Sequence, residues 1–141
     1  MWQAFTPQSP YRKRARLAAI IWTLLIFILC LWPGKELPQV DVPFIDKWTH
    51  FVLFAVFSFC WLCAFPSVQL RLLAAALLVS VGTGWVVELL QGWLTFLGRY
   101  YDVMDIWANG LGGLLGILLF GVLNRVAVRK AKAARAVNNN H

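Results

Sequence analysis

Nine polar residues stand at the ends of long apolar runs or inside them, in a chain that is otherwise strongly hydrophobic. Charge in or beside hydrocarbon costs free energy, so each is a candidate for a functional site rather than ordinary surface. Carboxylates and an imidazole can act as general bases, whereas Lys and Arg can hold phosphate or carboxylate groups. The set is Asp46, Lys47, His50, Glu88, Gln91, Arg99, Asp102, Asp105 and Asn109.

The composition indicates an integral membrane protein. Of the 141 residues, 60% are hydrophobic and 13% are charged, whereas soluble domains are about half apolar and a quarter charged. The net charge of +7 does not indicate nucleic-acid binding, because the basic residues bracket the apolar runs instead of interleaving with exposed aromatics. We therefore predict membrane lipids, and no nucleic acid, as partners.

The three cysteines give no sign of a disulfide framework or a zinc site. Cys30, Cys60 and Cys63 all lie within apolar runs, where buried free thiols are the simplest interpretation. The sequence accordingly predicts no metal and no cofactor.

Four apolar runs predict four transmembrane helices, because a helix satisfies its own backbone hydrogen bonds in lipid. The basic N-terminus before the first run resembles a secretory signal, but no small-residue cleavage pattern follows, so we expect this run to be retained as a span. The predicted fold class is an all-α, four-helix transmembrane bundle. Its parts are a basic N-terminus (1–16), the spans 17–32, 48–65, 72–97 and 106–123, and a basic tail (124–141) whose first part is expected to extend as a helix.

The distribution of Lys and Arg predicts the orientation. Ten of them lie in the N-terminus, in the C-terminal tail or near the loop at Pro66. The other three lie near the two loops on the opposite side of the membrane. By the positive-inside rule both termini are predicted to be cytoplasmic. The nine polar residues then lie in the outer half of the bilayer or at its outer surface.

Helical spacing puts most of these residues on stripes that can face one another. Asp46 and His50 are four residues apart and so share a helix face. Arg99, in the adjacent loop, is placed to cover a pocket and to pair with Asp102, Asp105 or an anionic ligand. The stripe on the third run is Ser80, Gly84, Glu88, Gln91 and Thr95, and the stripe on the fourth is Asp105, Asn109, Gly112 and Gly116.

These residue types suggest distinct roles, each with a simpler alternative. Glu88 and His50 are the candidate general bases. A lone histidine near an interface, such as His50, is more often structural, whereas an acid as deep as Glu88 needs a hydrogen-bonded partner or a raised pKa. Gly112 and Gly116 form a small-xxx-small pair, which indicates a close helix contact or an oligomer interface. The candidate binding residues are Arg99, Gln91, Asn109, Asp46, Asp105 and Lys47. Charges that only mark helix ends are the alternative for Asp46, Lys47, Asp102 and Asp105, with Asp46 or Asp105 as an N-cap.

The order and spacing of the polar residues resemble the VanZ-like family of small bacterial membrane proteins. The resemblance spans 44–116: Asp-Lys-x-x-His-Phe from Asp46, Glu-x-x-Gln from Glu88, then Arg99, then Asp-x-x-x-Asn-x-x-Gly from Asp105, with Gly116. It implies a multi-pass protein of the bacterial inner membrane and, through the family's named member, an association of the family with resistance to the glycopeptide teicoplanin. Resistance itself does not transfer to this chain. Relatives often carry a proline near the arginine, which 95–98 here lack.

Three functions compete. The first is an outward-facing pocket that binds, with or without modifying, a lipid-linked or amphipathic envelope molecule such as an envelope precursor. The second is a non-catalytic scaffold or binding protein, in which the polar stripes join helices by hydrogen bonds. The third, an ion-coupled transporter with Glu88 as the titrating group, is less favoured because four spans without an evident repeat offer no alternating gate.

Overall fold

The computed structural model describes residues 10–36 and 42–138, and within these ranges its regular structure is entirely helical. This confirms the predicted all-α class. The helices are α1 (Arg12–Cys30), α2 (Ile45–Ala64), α3 (Leu70–Trp93) and α4 (Val103–Asn138), with short 3-10 turns at Gly34–Glu36 and Thr95–Leu97.

Three of these helices, α2, α3 and α4, are long and apolar enough to cross a membrane. The chain is therefore a multi-pass membrane protein. In α1 the apolar part follows four basic residues within its first five positions, so fewer apolar residues remain than the roughly 20 that a span needs. A fourth span in α1 stays a prediction, as does the orientation of the termini.

The observed helix boundaries differ from the predicted runs by several residues, and the end of the third run is the clearest case. The third run was predicted to be helical through residue 97, but α3 ends at Trp93 and the chain turns through Thr95–Leu97. Gly98 closes that turn with a φ of 70°, a left-handed conformation that glycine adopts without steric cost. The fourth span was predicted as 106–123 with a helical extension in the tail, and α4 begins three residues earlier, at Val103, and continues without a break to Asn138.

The closest helix contact joins α2 to α4 through two glycines. A Cβ atom at Gly112 or Gly116 would overlap the backbone carbonyl oxygen of Phe51 or Ala55, respectively. Small residues allow such close approach, which strengthens packing between membrane helices. Since α2 of the same chain covers this face, a second chain could use it only by displacing α2.

One end of the bundle collects the loops and the polar residues. Here α1 and α3 end while α2 and α4 begin. The loop after α1 meets the loop after α3, where an ideal Cβ on Gly34 would lie 2.6 Å from the carbonyl oxygen of Gly98. We call this end the polar end. Below it, an apolar core of Ile26, Cys30, Leu53, Phe54, Phe57 and Val87 holds α1, α2 and α3 together.

Candidate functional site

Seven polar residues converge at the polar end from three helices and one loop. We call them the polar cluster: Asp46, Lys47 and His50 from α2, Glu88 from α3, Asp102 from the loop before α4, and Asp105 and Asn109 from α4. Two pairs, Asp46 with His50 and Asp105 with Asn109, are four residues apart, so each pair projects from one helix face. Of the cluster, His50, Glu88, Asp105 and Asn109 are buried.

The imidazole of His50 lies at the centre of the buried group. Its Nδ1 is 3.0 Å from Oδ1 of Asn109 and 3.6 Å from Oε1 of Glu88. Its Nε2 is 3.9 Å from Oδ2 of Asp105. Because the amide oxygen of Asn109 is an acceptor, Nδ1 carries the proton that it donates, and Nε2 keeps a free lone pair. The ring is thus held by α4 and faces two carboxyl groups.

Glu88 has one bonded and one unbonded carboxylate oxygen. Its side chain is completely buried. Oε2 accepts a 3.0 Å hydrogen bond from the backbone N–H of Asp102, at the N-terminus of α4, where the helix dipole favours negative charge. Oε1 has no hydrogen-bond partner and is the oxygen that faces His50. A buried, unbonded carboxylate oxygen is costly, so this atom marks the site.

Lys47 binds the more exposed carboxylates of the cluster. Its Nζ donates to Asp46 at 2.6 Å and also to Asp102, and it lies 3.2 Å from Oδ1 of Asp105. The hydrogen bond from Lys47 holds the pKa of Asp102 below its usual range. The cluster therefore contains four carboxyl groups but only one ammonium group, that of Lys47. Such a site has an excess of negative charge and favours a cation or a hydrogen-bond donor over a bare anion.

Asp102 was one of the nine candidates from sequence but was left out of the candidate binding residues, because a charge that marks a helix end was the alternative. Its Oδ1 accepts a 2.8 Å hydrogen bond from the N–H of Met104, the geometry of an N-cap, while Oδ2 bonds Lys47. The signal was present in the sequence, because an Asp directly before an apolar helix is a preferred N-cap. For this helix the cap was instead assigned to Asp105, which lies in the first turn of α4.

Gln91 and Arg99 also lie at the polar end, but their side chains donate hydrogen bonds to carbonyl oxygens at the end of α1. Gln91 donates from Nε2 to the carbonyl oxygen of Cys30 at 2.8 Å. Arg99 donates from Nε to the carbonyl of Trp32 at 3.1 Å and from Nη2 to that of Leu29 at 3.4 Å. The carbonyls of Leu29 and Cys30 belong to the last turn of α1, where no N–H four residues further along the helix can bind them, and Trp32 directly follows the C-cap. The expected pairing of Arg99 with Asp102 or Asp105 is not among the described contacts; Lys47 makes it instead.

Gly84 provides the space in which the amide of Asn109 sits. An ideal Cβ at Gly84 would lie 2.8 Å from Cβ and 2.9 Å from Cγ of Asn109, closer than real Cβ contacts allow. The sequence placed Gly84 on the polar stripe of α3 without a function. Its function is to let α4 approach so that Asn109 reaches His50.

Comparison with known proteins places this arrangement in a family. The model of the VanZ/LLP1 family matches residues 3–124, which include every residue of the polar cluster. A protein of Schizosaccharomyces pombe, named "Uncharacterized protein C11E3.10", is 32% identical over 123 residues, covering 86% of this chain and 73% of its own length. No solved structure matches the chain. Since this relative is from a yeast, membership does not by itself place the chain in a bacterium. The chain belongs to the VanZ/LLP1 family.

Proposed function

We propose that this protein spans the membrane four times with both termini in the cytoplasm, and that its polar cluster binds the polar group of a lipid-linked or amphipathic envelope molecule. The orientation rests on the excess of Lys and Arg at the termini and at the Pro66 loop. In this orientation the polar end faces outward. An amphipathic ligand can then keep its tail in the outer leaflet while its polar group enters the cluster.

The observation that carries this proposal is the unbonded Oε1 of Glu88 beside His50. Interhelical hydrogen bonds alone would be satisfied by neutral side chains, and a buried carboxylate oxygen without a hydrogen-bond partner costs about 1–3 kcal/mol or more. A ligand that donates a hydrogen bond or carries positive charge removes this cost. We therefore infer that Oε1 of Glu88 binds a group of a ligand rather than another side chain of the protein.

The geometry allows His50 to act as a general base on such a ligand. Its Nε2 carries the free lone pair and faces Asp105, which stabilises a protonated ring. A hydroxyl group of the ligand that lies within about 3 Å of Nε2 could give up its proton there. Arg99, which is half-buried at the rim, is the residue best placed to hold a phosphate or carboxylate on the same molecule.

Native mass spectrometry of the protein, extracted in mild detergent, tests this proposal. We expect an amphipathic molecule to co-purify with the wild type and to be lost from His50→Ala and Glu88→Gln. Glu36→Gln is the matched control, because Glu36 is an exposed acid outside the cluster, and it should retain the molecule. Identical lipid profiles in all four proteins would refute the proposal.

A non-catalytic scaffold is the second candidate, favoured by Gln91 and Arg99, which tie α3 and its following loop to the end of α1. Hydrogen bonds between membrane helices contribute about 0.6–2 kcal/mol each. In a scaffold, substitutions in the cluster should lower folded yield in proportion to lost function. In a binding site, Glu88→Gln should remove the ligand while the purified protein keeps its thermal stability.

A further inference from the structure

We propose that His50, Glu88 and Asp105 form a binding site for one divalent first-row transition-metal ion, such as Zn²⁺ or Mn²⁺. One ligand atom from each of the three lies within 4.8 Å of the others, and all three side chains are buried. They come from three different helices. A metal ion bound here would therefore link α2, α3 and α4 at the polar end.

Glu88 is held through one oxygen by a hydrogen bond, Asp105 is held through one oxygen by an ion pair, and each residue offers its other oxygen. Oε2 of Glu88 accepts from the N–H of Asp102, which leaves Oε1 unbonded toward His50. Oδ1 of Asp105 lies 3.2 Å from Nζ of Lys47, while Oδ2 points toward Nε2 of His50. Metal-binding carboxylates are oriented in this way by hydrogen bonds to the oxygen or proton that does not bind the ion.

The imidazole of His50 is also prepared as a ligand. Metal-bound histidines almost always donate their second ring N–H to an oxygen, which fixes the tautomer. Here Nδ1 donates to Oδ1 of Asn109 at 3.0 Å, so Nε2 is the nitrogen that can bind an ion. Gly84 keeps Asn109 in place, and Asn109 thereby orients His50.

The distances are close to those of a metal site. Zn²⁺ binds nitrogen and oxygen at about 2.0–2.2 Å, so ligand atoms on one ion stand about 3–3.5 Å apart by the same bond lengths. Oδ2 of Asp105 lies 3.9 Å from Nε2, the nitrogen that would bind the ion, and one ligand atom from each of the three residues lies within 4.8 Å of the others. Oε1 of Glu88 faces Nδ1 at 3.6 Å, so the Glu88 side chain must rotate toward Nε2 to bind the same ion.

Charge and ligand type select the ion. The cluster has four carboxyl groups and one ammonium group, so a divalent cation reduces its excess of negative charge. The ammonium group of Lys47 does not occupy the metal position, because it forms an ion pair with Oδ1 of Asp105. The other oxygen, Oδ2, faces His50 and can bind the ion. One imidazole nitrogen with two carboxylate oxygens suits Zn²⁺ or Mn²⁺, whereas Ca²⁺ prefers six to eight oxygens and Cu(I) prefers sulfur.

Isothermal titration with ZnCl₂ tests the proposal directly. The full chain is purified with an affinity tag that contains no histidine. It is then treated with a chelator to remove metal ions, and the chelator is removed before the titration. We expect about one Zn²⁺ per chain, with at least a tenfold loss of affinity in Glu88→Gln and Asp105→Asn. Asn109→Ala, which removes only the orienting partner, should lose about tenfold. Glu36→Gln should bind as the wild type does. Absent binding, or equal affinity in wild type and Glu88→Gln, would overturn the proposal.

A measurement on the wild type alone keeps the test valid if a variant fails to fold. In the Mn²⁺-loaded protein, pulsed electron paramagnetic resonance should show hyperfine coupling to one directly bound imidazole nitrogen. The chain has two histidines, so His141→Ala should leave this signal unchanged. A spectrum without nitrogen coupling would contradict a site that contains His50. The ion would occupy Nε2 of His50 and Oε1 of Glu88, the atoms that the proposed function gives to a donor group of the amphipathic ligand. Both readouts detect the ion itself, so absence of the ion signal from a protein that keeps its co-purified ligand would contradict this proposal alone.

Discussion

His50 and Asn109 join α2 to α4 through a 3.0 Å hydrogen bond between Nδ1 and Oδ1, at a depth where both side chains are shielded from solvent. This contact fixes which ring nitrogen of His50 faces Asp105. Gly84 on α3 leaves the space that the Asn109 side chain occupies in this contact. The chemistry of the polar cluster therefore depends on helix packing as much as on its own side chains.

Gly84→Ala should disturb the cluster without changing any of its members. The new methyl group would meet Cβ and Cγ of Asn109, push the amide away from His50, and lower the free energy of unfolding by about 1–3 kcal/mol. Thermal unfolding in detergent, followed by tryptophan fluorescence, measures the change. Gly82→Ala on the same helix is the matched control, since a Cβ there meets nothing within 4 Å. Equal effects of the two substitutions would contradict the assigned function of Gly84.

Gly116→Ala should separate α2 from α4. Its Cβ would overlap the carbonyl oxygen of Ala55, and backbone atoms cannot rotate away as a flexible side chain can. We expect a loss of about 3 kcal/mol or more and a marked drop in the monodisperse fraction on size-exclusion chromatography. Gly121→Ala, five residues further along α4 with open space around it, should behave as the wild type. Normal yield of Gly116→Ala would show that the two helices pack less tightly than described.

Arg99→Lys should weaken the attachment of the loop after α3 to the end of α1. Arg99 reaches two carbonyls with two different nitrogens, and a single ammonium group cannot reproduce that fork. The expected cost is about 0.5–1.5 kcal/mol, measured as a lower melting temperature. Arg71→Lys is the control, because Arg71 makes an exposed contact with a nearby side chain, and should change stability little.

Asp102→Asn should destabilise the protein at neutral pH by removing a charge while keeping the N-cap, since Asn caps helices as well as Asp does. Lys47 lowers the pKa of Asp102 in the folded protein. The ion pair therefore contributes stability above the unfolded pKa of about 3.9, and this contribution is lost as the pH falls through the lower, folded pKa. The difference in melting temperature between wild type and variant should shrink as the pH is lowered below about 4. A difference that is constant with pH would indicate that the charge of Asp102 contributes nothing.

The helical architecture followed from sequence wherever the apolar pattern was continuous. The α2 run was placed within a few residues of its observed bounds, because apolar length alone selects a helix in lipid. The end of α3 was misplaced, since Thr95, Phe96 and Leu97 are as apolar as the helix before them. After α3 ends at Trp93, the chain turns through a 3-10 segment that the left-handed Gly98 closes beside Gly34, and such loop contacts are not visible in an apolar pattern.

The sequence by itself determined that this chain is an all-helical membrane protein, that its polar residues lie near helix ends, and that Glu88 and His50 were the ones to explain. Residue type and helical period are local properties, and they suffice for that. The tertiary structure decided the partners: Asn109 for His50, the N–H of Asp102 for Glu88, and α1 carbonyls for Arg99 and Gln91. Those pairings depend on how closely three helices approach one another, and glycines set that distance through contacts that a linear pattern does not contain.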